Sequence, residues 1–510
     1  MSSTHADLIS AAAKKVKKNL LPVEKALALF YDLDLSVRQY NLLRSIVNST
    51  SEDFFPSYYS LKTYADSLLP SPITVSDICA EVPLQPLLNK TAEGIANFCD
   101  INQNLKATLE CKWGFDGSSG HSAYKQSFVD ESSTDEFMFV VALVPLRLME
   151  DASNQEIWTN KSPSSTLYCR PIKLMFAKEN RSLIHEVERD ISHQIQRLTN
   201  LTLSSNGYHL EISFKMYLTM IDGAVASVLS DVSSCSQCHL CGSTPKLMNS
   251  YNALEKPFNE DRSKYGLSIL HAQIKFFECL IHIAYRIPLK TWRVQDKKNN
   301  AIYNENKERI QREFRKSLGL IIDRVKTGYG TSNDGNTARK FFRHPEIAAD
   351  ITKIDIALIK NFSTILRVIS SFHKVNTIAF KELLKETFDI YLANYSWYYM
   401  PQTVHKILVH GCDIIQNTNI PIGFLSEEAL EARHKELRGF RLNHSRKTSR
   451  TNSNKDVFQR MLLSSEPSIT LNRKLTTKKP INNDDINRYL LLEDSAMASE
   501  DCDNSDDERD

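Results

Sequence analysis

Four apolar runs with the two-residue alternation of β-strands fall between Leu105 and Ile221, and beyond Pro245 the patterning is helical. Strands first and helices after make an α+β arrangement, because strands gathered in one stretch pair with each other instead of alternating with crossover helices. In the first run Leu109, Cys111, Trp113 and Phe115 alternate with Glu110, Lys112 and Gly114, so the strand is expected to end at Asp116. The next two runs are Phe137 to Val144 and Leu167 to Phe176. A helical segment around Ile184 to Leu198 precedes the fourth, Leu210 to Ile221, which ends at Asp222. Both aspartates are therefore expected at strand ends, each just before a glycine.

At 510 residues the chain exceeds the ~100–200 of a usual domain, so several packed units are expected. Leu27, Leu29 and Phe30, then Tyr40, Leu42, Leu43 and Ile46, mark a small helical unit ahead of the strands, preceded by Lys14, Lys15, Lys17 and Lys18. That lysine run reads either as a solvated helix face or as a phosphate-binding or nuclear-import element. Past the strands, stripes through Leu267, Leu270, Ile274, Phe277 and Ile281, and again across 354–369 and 380–391, read as buried helix faces. A polar loop from Gly328 to Asn336 enters a basic helix carrying Arg339, Lys340 and Arg343.

The net charge is +2, so nucleic-acid binding has to rest on local patches. The most apolar stretch, Phe137 to Leu146, falls short of the ~20 residues that span a bilayer. Ten cysteines without a charged-then-apolar leader point to a reducing compartment, and a soluble intracellular protein with no membrane contact is expected. The closing EDSAMASEDCDNSDDERD is too acidic and too poor in apolar residues to pack, and is expected to be a disordered tail.

Phosphoryl transfer by two metal ions needs carboxylates that hold the ions ~4 Å apart, and neighbouring strand ends provide them. WGFDGSSG and TMIDG put Asp116 and Asp222 where a side chain emerges from a sheet edge, although an Asp-Gly pair also makes a simple turn. In SSCSQCHLCG, Cys235, Cys238 and Cys241 form two overlapping C-x₂-C pairs suited to tetrahedral zinc. His405 and His410 in VHKILVHG have a spacing that zinc sites use, and two of the cysteines would complete the set; each histidine also fits an ordinary helix.

In sequence order these motifs resemble one family, the Transib-type DDE transposases and their relative, the catalytic subunit of the vertebrate V(D)J recombinase. WGFDG is similar to the first catalytic aspartate motif, TLYCRPIKLMFAKEN to the strand that follows it, and FKMYLTMID to the second aspartate strand. CHLC resembles the zinc cysteines, VHKILVHGCDII the zinc histidine helix, and SEEALEARHKELRGFR the final glutamate motif. NDGNTARKFF and ELLKETFDIYLANYSW resemble segments between the two zinc halves. Colinearity makes the resemblance specific, since short motifs of different chemistry rarely fall in one order by chance.

The resemblance implies an RNase H-like catalytic core, a mixed sheet with helices, interrupted by a helical zinc-binding insertion and preceded by a helical N-terminal region. The corresponding partition is a basic leader at 1–20, a helical dimerisation and DNA-binding region at 21–104, the core at 105–226, the insertion at 227–420, a glutamate helix completing the core at 421–450, and a C-terminal region at 451–510. It implies Asp116, Asp222 and Glu431 as the triad for Mg²⁺ or Mn²⁺, with Glu186 or Glu188 as an accessory acid. Cys238, Cys241, His405 and His410 would hold Zn²⁺, leaving Cys235 as an extra thiol.

The implied activity is that of a nuclear, homodimeric transposase acting on double-stranded DNA at terminal inverted repeats and target sites, with no small-molecule substrate. It would nick with activated water and then use the 3′-hydroxyl for hairpin formation and strand transfer. Arg38, Arg44, Arg339, Lys340, Arg433, Lys435, Arg438 and Arg441 are the expected phosphate contacts, a role that competes with a plain solvated helix face. The rival is a host-adopted, catalytically silent descendant that binds DNA or chromatin.

Overall fold

The computed structural model describes residues 20–50, 54–121, 124, 126–130, 133–205, 207–325, 330–473 and 485–491. The lysine-rich leader, Gly328 of the polar loop and the acidic segment from 492 onward lie outside them.

One sheet of eight strands organises the middle of the chain: β1 (Thr74–Val75), β2 (Cys79–Glu81), β3 (Leu105–Ser119), β4 (Phe137–Glu150), β5 (Glu156–Thr159), β6 (Arg170–Met175), β7 (Leu201–Ser205) and β8 (Tyr208–Met220). Their order is β1-β2-β6-β4-β3-β8-β7, with β5 added to β4. All neighbours are antiparallel except β3 and β8, which run parallel. β4 is apolar because it is interior: Met138 through Val144 are at most 1% exposed, and an interior strand reads as a continuous hydrophobic run. Pro145, which donates no backbone hydrogen bond, falls where the β3–β4 register shifts, between Glu110/Arg147 and Cys111/Pro145.

Several boundaries differ from expectation, among them the end of β4, which runs past Val144 to Glu150. β3 runs past Asp116 to Ser119. The third run starts at Arg170, because Thr166–Tyr168 coil into a 3₁₀ turn that the Ser165 hydroxyl caps. Within 21–104 the helices Val23–Asp32, Val37–Thr50, Tyr58–Leu68 and Leu84–Ala96 are joined by β1 and β2, which extend the sheet.

The helix Arg181–Gln196 covers the sheet with Ile184, Val187 and Ile191, and Asn180 caps it by accepting from Leu183 N. From the sheet one hydrophobic core continues into the helices Ile269–Arg286, Lys297–Leu318, Gly335–Phe342, Ile356–Ile369, Thr377–Tyr395 and Gln402–Gln416. A second, smaller core joins the first three helices to Leu463 and Ile469 near the other end of the chain. Among the described residues no helix is long and apolar enough to cross a membrane.

Candidate active site and metal centre

Because β3 and β8 run parallel, their C-terminal ends lie at the same edge of the sheet. Pairing between them stops at Gly114 opposite Met220. A Cβ on Gly114 would sit 2.0 Å from the Met220 carbonyl oxygen, so this approach of the two backbones requires glycine. β4 keeps pairing with β3 as far as Ser119, opposite Val140 at Asp116, so the stretch carrying Asp116 is held on one side and open on the other. Asp222 follows β8 directly and begins the helix Gly223–Leu229, its Oδ1 accepting from Val225 N at 2.7 Å.

Glu431 arrives from far along the chain, in the first turn of the helix Glu428–Asn443. Three basic side chains dock that turn. Lys112 of β3, fully buried, donates to the Ser426 carbonyl at 2.6 Å, and burial pushes its ammonium pKa down to about 7. His271 donates to Glu427 Oε1 from its backbone N at 3.0 Å and its Nδ1 at 2.9 Å. Arg339 pairs with Glu428 at 2.5 Å. With Glu427 and Glu428 engaged in this way, Glu431 is the acid of the three that hydrogen-bonds Asp116. His434, one turn further on, lies 3.2 Å from Asp116 Oδ2.

A fourth acid completes the cluster. Glu179, just beyond β6, accepts from Gly117 N at 3.1 Å, and a Cβ on Gly117 would come within 2.9 Å of the Glu179 Cβ. Glu186 is exposed and Glu188 accepts from Ser192, so of the acids between the two aspartates Glu179 is the one at the site. It follows a strand, as Asp222 does, and the AKEN segment after the apolar run is its trace in the sequence. His434 is likewise visible as the neighbour three positions after Glu431.

The electrostatics record the crowding. Burial would raise Asp116, but His434, His271 and the Glu431 hydrogen bond outweigh it and hold the carboxyl below its ordinary range. Glu431 is raised, by burial and then by Asp116. Burial, Asp116 and Asp222 push Glu179 up to about 7. For His271 burial works downward, but Glu427, Asp222 and Asp116 carry it up to about 9. Glu179, raised to about 7 beside two aspartates, marks a site crowded with negative charge, and hard divalent cations take oxygen ligands of this kind. Among the described residues no three acids close tightly enough to share one ion's inner shell.

The Cys and His motifs do converge. Cys238, Cys241, His405 and His410 place one donor atom each within 4.8 Å of one another, with Cys241 Sγ 3.3 Å from His405 Nε2. Cys238 and both histidines are buried, and His410 Nε2 is a buried ring nitrogen without a hydrogen-bond partner. Two thiols, two imidazoles and an orphaned nitrogen fit a tetrahedral ion with Zn–S of ~2.3 Å and Zn–N of ~2.0–2.1 Å. Asp413 Oδ2 stands 4.0 Å from His410 Nδ1, the position of a carboxylate that orients a ligating ring. Cys235 is exposed and outside the cluster.

The expected phosphate contacts divide. Arg38, Lys340, Lys435 and Arg438 are exposed; Arg44 is half-buried and donates to the Phe55 carbonyl, and Arg438 donates to the Ser119 carbonyl at 2.9 Å. Arg433 and Arg441 are a correction. Arg433 is 1% exposed and binds Glu436, Ser464 and the Cys169 carbonyl, while Arg441 is 4% exposed and pairs with Asp135 at 2.9 Å. The helix Arg450–Ser464 packs beside theirs, so both arginines hold the fold together and neither can face a phosphate.

Residues 108–230 match the family model of the RNase H domain of recombination-activation protein 1 (RAG1). Among solved structures, the Drosophila P element transposase strand transfer complex is similar at 12% sequence identity and a TM-score of 0.29, covering 93% of this chain and 96% of that one. No curated protein matches. Residues 108–230, which hold most of the sheet, are thus an RNase H-like domain similar to that of RAG1, in line with the resemblance of the two aspartate motifs that fall within them.

Proposed function

We propose that this RAG1-like chain is a DNA transposase or recombinase that cuts and joins strands with a triad of Asp116, Asp222 and Glu431. The observation that carries the reading is Glu431: an acid on a late helix hydrogen-bonds the aspartate of β3, at the sheet edge where Asp222 also emerges. Two divalent ions, Mg²⁺ or Mn²⁺, would activate the attacking oxygen and stabilise the leaving one. Asp116 is ionised already. Asp222 uses Oδ1 to cap its helix and retains Oδ2 as a ligand. Glu431 and Glu179 would add their carboxylate oxygens to the ions' ligands, and His434 steadies the Asp116 carboxylate.

In the first step water adds to a backbone phosphorus and the 3′ oxygen leaves as a hydroxyl. In the second that hydroxyl attacks a phosphorus of the opposite strand, displacing the 3′ oxygen there and closing a hairpin on the flanking DNA; the 3′-hydroxyl of the excised end later attacks a target phosphorus in the same way. The substrate is double-stranded DNA with terminal inverted repeats, bound by a homodimer in the nucleus. Arg38, Arg44, Lys340, Lys435 and Arg438 hold phosphates, with Arg339 bracing Glu428 beside them. Zn²⁺ on Cys238, Cys241, His405 and His410 has a structural role, since four protein ligands fill a tetrahedron.

The test is cleavage of supercoiled and mixed-sequence DNA in Mn²⁺ by the purified protein beside Asp116→Asn and Glu431→Gln. Cleavage by the wild type and its loss in both variants is expected. An inert wild type with normal zinc content and DNA binding would favour the silent descendant.

A further inference from the structure

A cleft of about 980 Å³ opens between the helices Gly335–Phe342 and Ile356–Ile369. Arg339, Arg343, Lys360 and Arg367 line it, with Phe372 on its wall and Gln273 at its base. Arg343 is exposed and has no carboxylate partner among the described residues. Lys360 meets only Glu346, in an exposed pair that contributes little and exchanges readily. Gln273 is buried at the lining and its Nε2 reaches Ser370 Oγ at 3.4 Å, so the open charges of the cleft are those of Arg343 and Lys360 and its occupant should bring negative charge.

One acid already sits in this cleft, and it comes from a telling part of the chain. Asp485 pairs with Arg367, and Ile486 is buried against the wall. Leu490 and Leu491 then pair in antiparallel fashion with Val375 and Lys374, next to His373 of the lining. The chain is thus held at the rim where the described residues stop. The following residues, 492–510, carry nine acids and one arginine, with Met497 between the pairs Glu493–Asp494 and Glu500–Asp501. At ~3.3 Å per residue an extended chain of this length reaches any point of the cleft.

We propose that the segment 492–510 docks in this cleft, its carboxylates on Arg343 and Lys360 and Met497 against Phe372. This acidic segment continues directly from Leu491 at the rim, so it meets the cleft's open cations at high local concentration, whereas DNA must compete from solution. Sulfur packed on an aromatic ring adds a further favourable contact.

The experiment compares the full chain with one ending at Leu491, using a fluorescent peptide of residues 493–510 and anisotropy at low salt. The shortened chain should bind the peptide, more weakly as salt rises. The full chain should bind it at least tenfold more weakly, its own segment filling the site. Arg343→Glu with Lys360→Glu in the shortened chain should weaken binding at least tenfold; both residues are exposed, and melting temperature and zinc content check that the fold persists. Equal binding by the two chains, or indifference to the charge reversal, overturns the proposal. So does a reversal that weakens binding of a DNA duplex while the peptide is never bound, which would make the cleft a DNA surface. No cleavage is measured, so failure here leaves the catalytic reading untouched.

Discussion

Replacing Glu179 with glutamine should make the metal-free protein more stable at alkaline pH, and the size of the gain follows from the site. The folded protein carries this carboxyl at about 7 against an ordinary 4.5, from burial first and then from Asp116 and Asp222. The folded state therefore binds the proton more tightly than the unfolded chain does. Its contribution to stability is full below pH 4.5 and is lost as pH rises through 7. At about 1.4 kcal/mol per tenfold in proton affinity the shift corresponds to roughly 3 kcal/mol, and partial access of water reduces this to ~1–2 kcal/mol.

Glu179→Gln keeps the acceptor for Gly117 N and deletes the charge. Urea unfolding in magnesium- and manganese-free buffer, with zinc retained, should show the variant ~1–2 kcal/mol more stable than wild type at pH 8 and indistinguishable at pH 5. Adding Mn²⁺ at pH 8 should raise the wild type more than the variant. Parallel stability profiles for the two proteins between pH 5 and 8 would refute the reasoning, because the carboxyl would then have titrated as though exposed.

Three further outcomes are expected. Arg170→Met leaves Glu466 buried without its partner at 2.5 Å; a loss of ~3–5 kcal/mol in urea unfolding should follow, largely recovered in Arg170→Met/Glu466→Leu. His410→Ala should drop bound zinc, measured by elemental analysis, to well below one per chain, and should lower the melting temperature of the helical region whose two ends the cluster joins. Gly114→Ala forces a methyl group into the Met220 carbonyl, and a cost of roughly 3 kcal/mol or more should appear as a lowered urea midpoint or as insoluble protein.

The strands that carry the aspartates were legible because a half-buried strand writes its alternation into the sequence and an interior one writes a continuous apolar run. β1, β2, β5 and β7 were not: two to five residues long, with polar stretches such as LTLSS, they are strands only through pairing with distant partners. Lys112 had looked like an outward-facing member of its alternation. The helices that follow the sheet cover that face too, so the lysine became a buried anchor for the Ser426 carbonyl. Arg433 and Arg441 misled for the same reason, since a basic stripe reads as solvated until a later helix packs over it. Cys241 and His405 stand 164 positions apart, and no local pattern joins them; only the order of motifs did.

The helix cap at Asp222 leaves a mark on how such a chain can drift. A short acceptor is wanted there by the Val225 amide whether or not the protein cuts DNA, and the preferred cap residues are Asn, Asp, Ser and Thr. Asp116 sits inside a strand and serves no such local need. A lineage that has stopped doing chemistry should therefore keep Asn, Ser or Thr at the first position and scatter at the second. The ratio of those two fates across descendants would date the loss of activity from sequence alone.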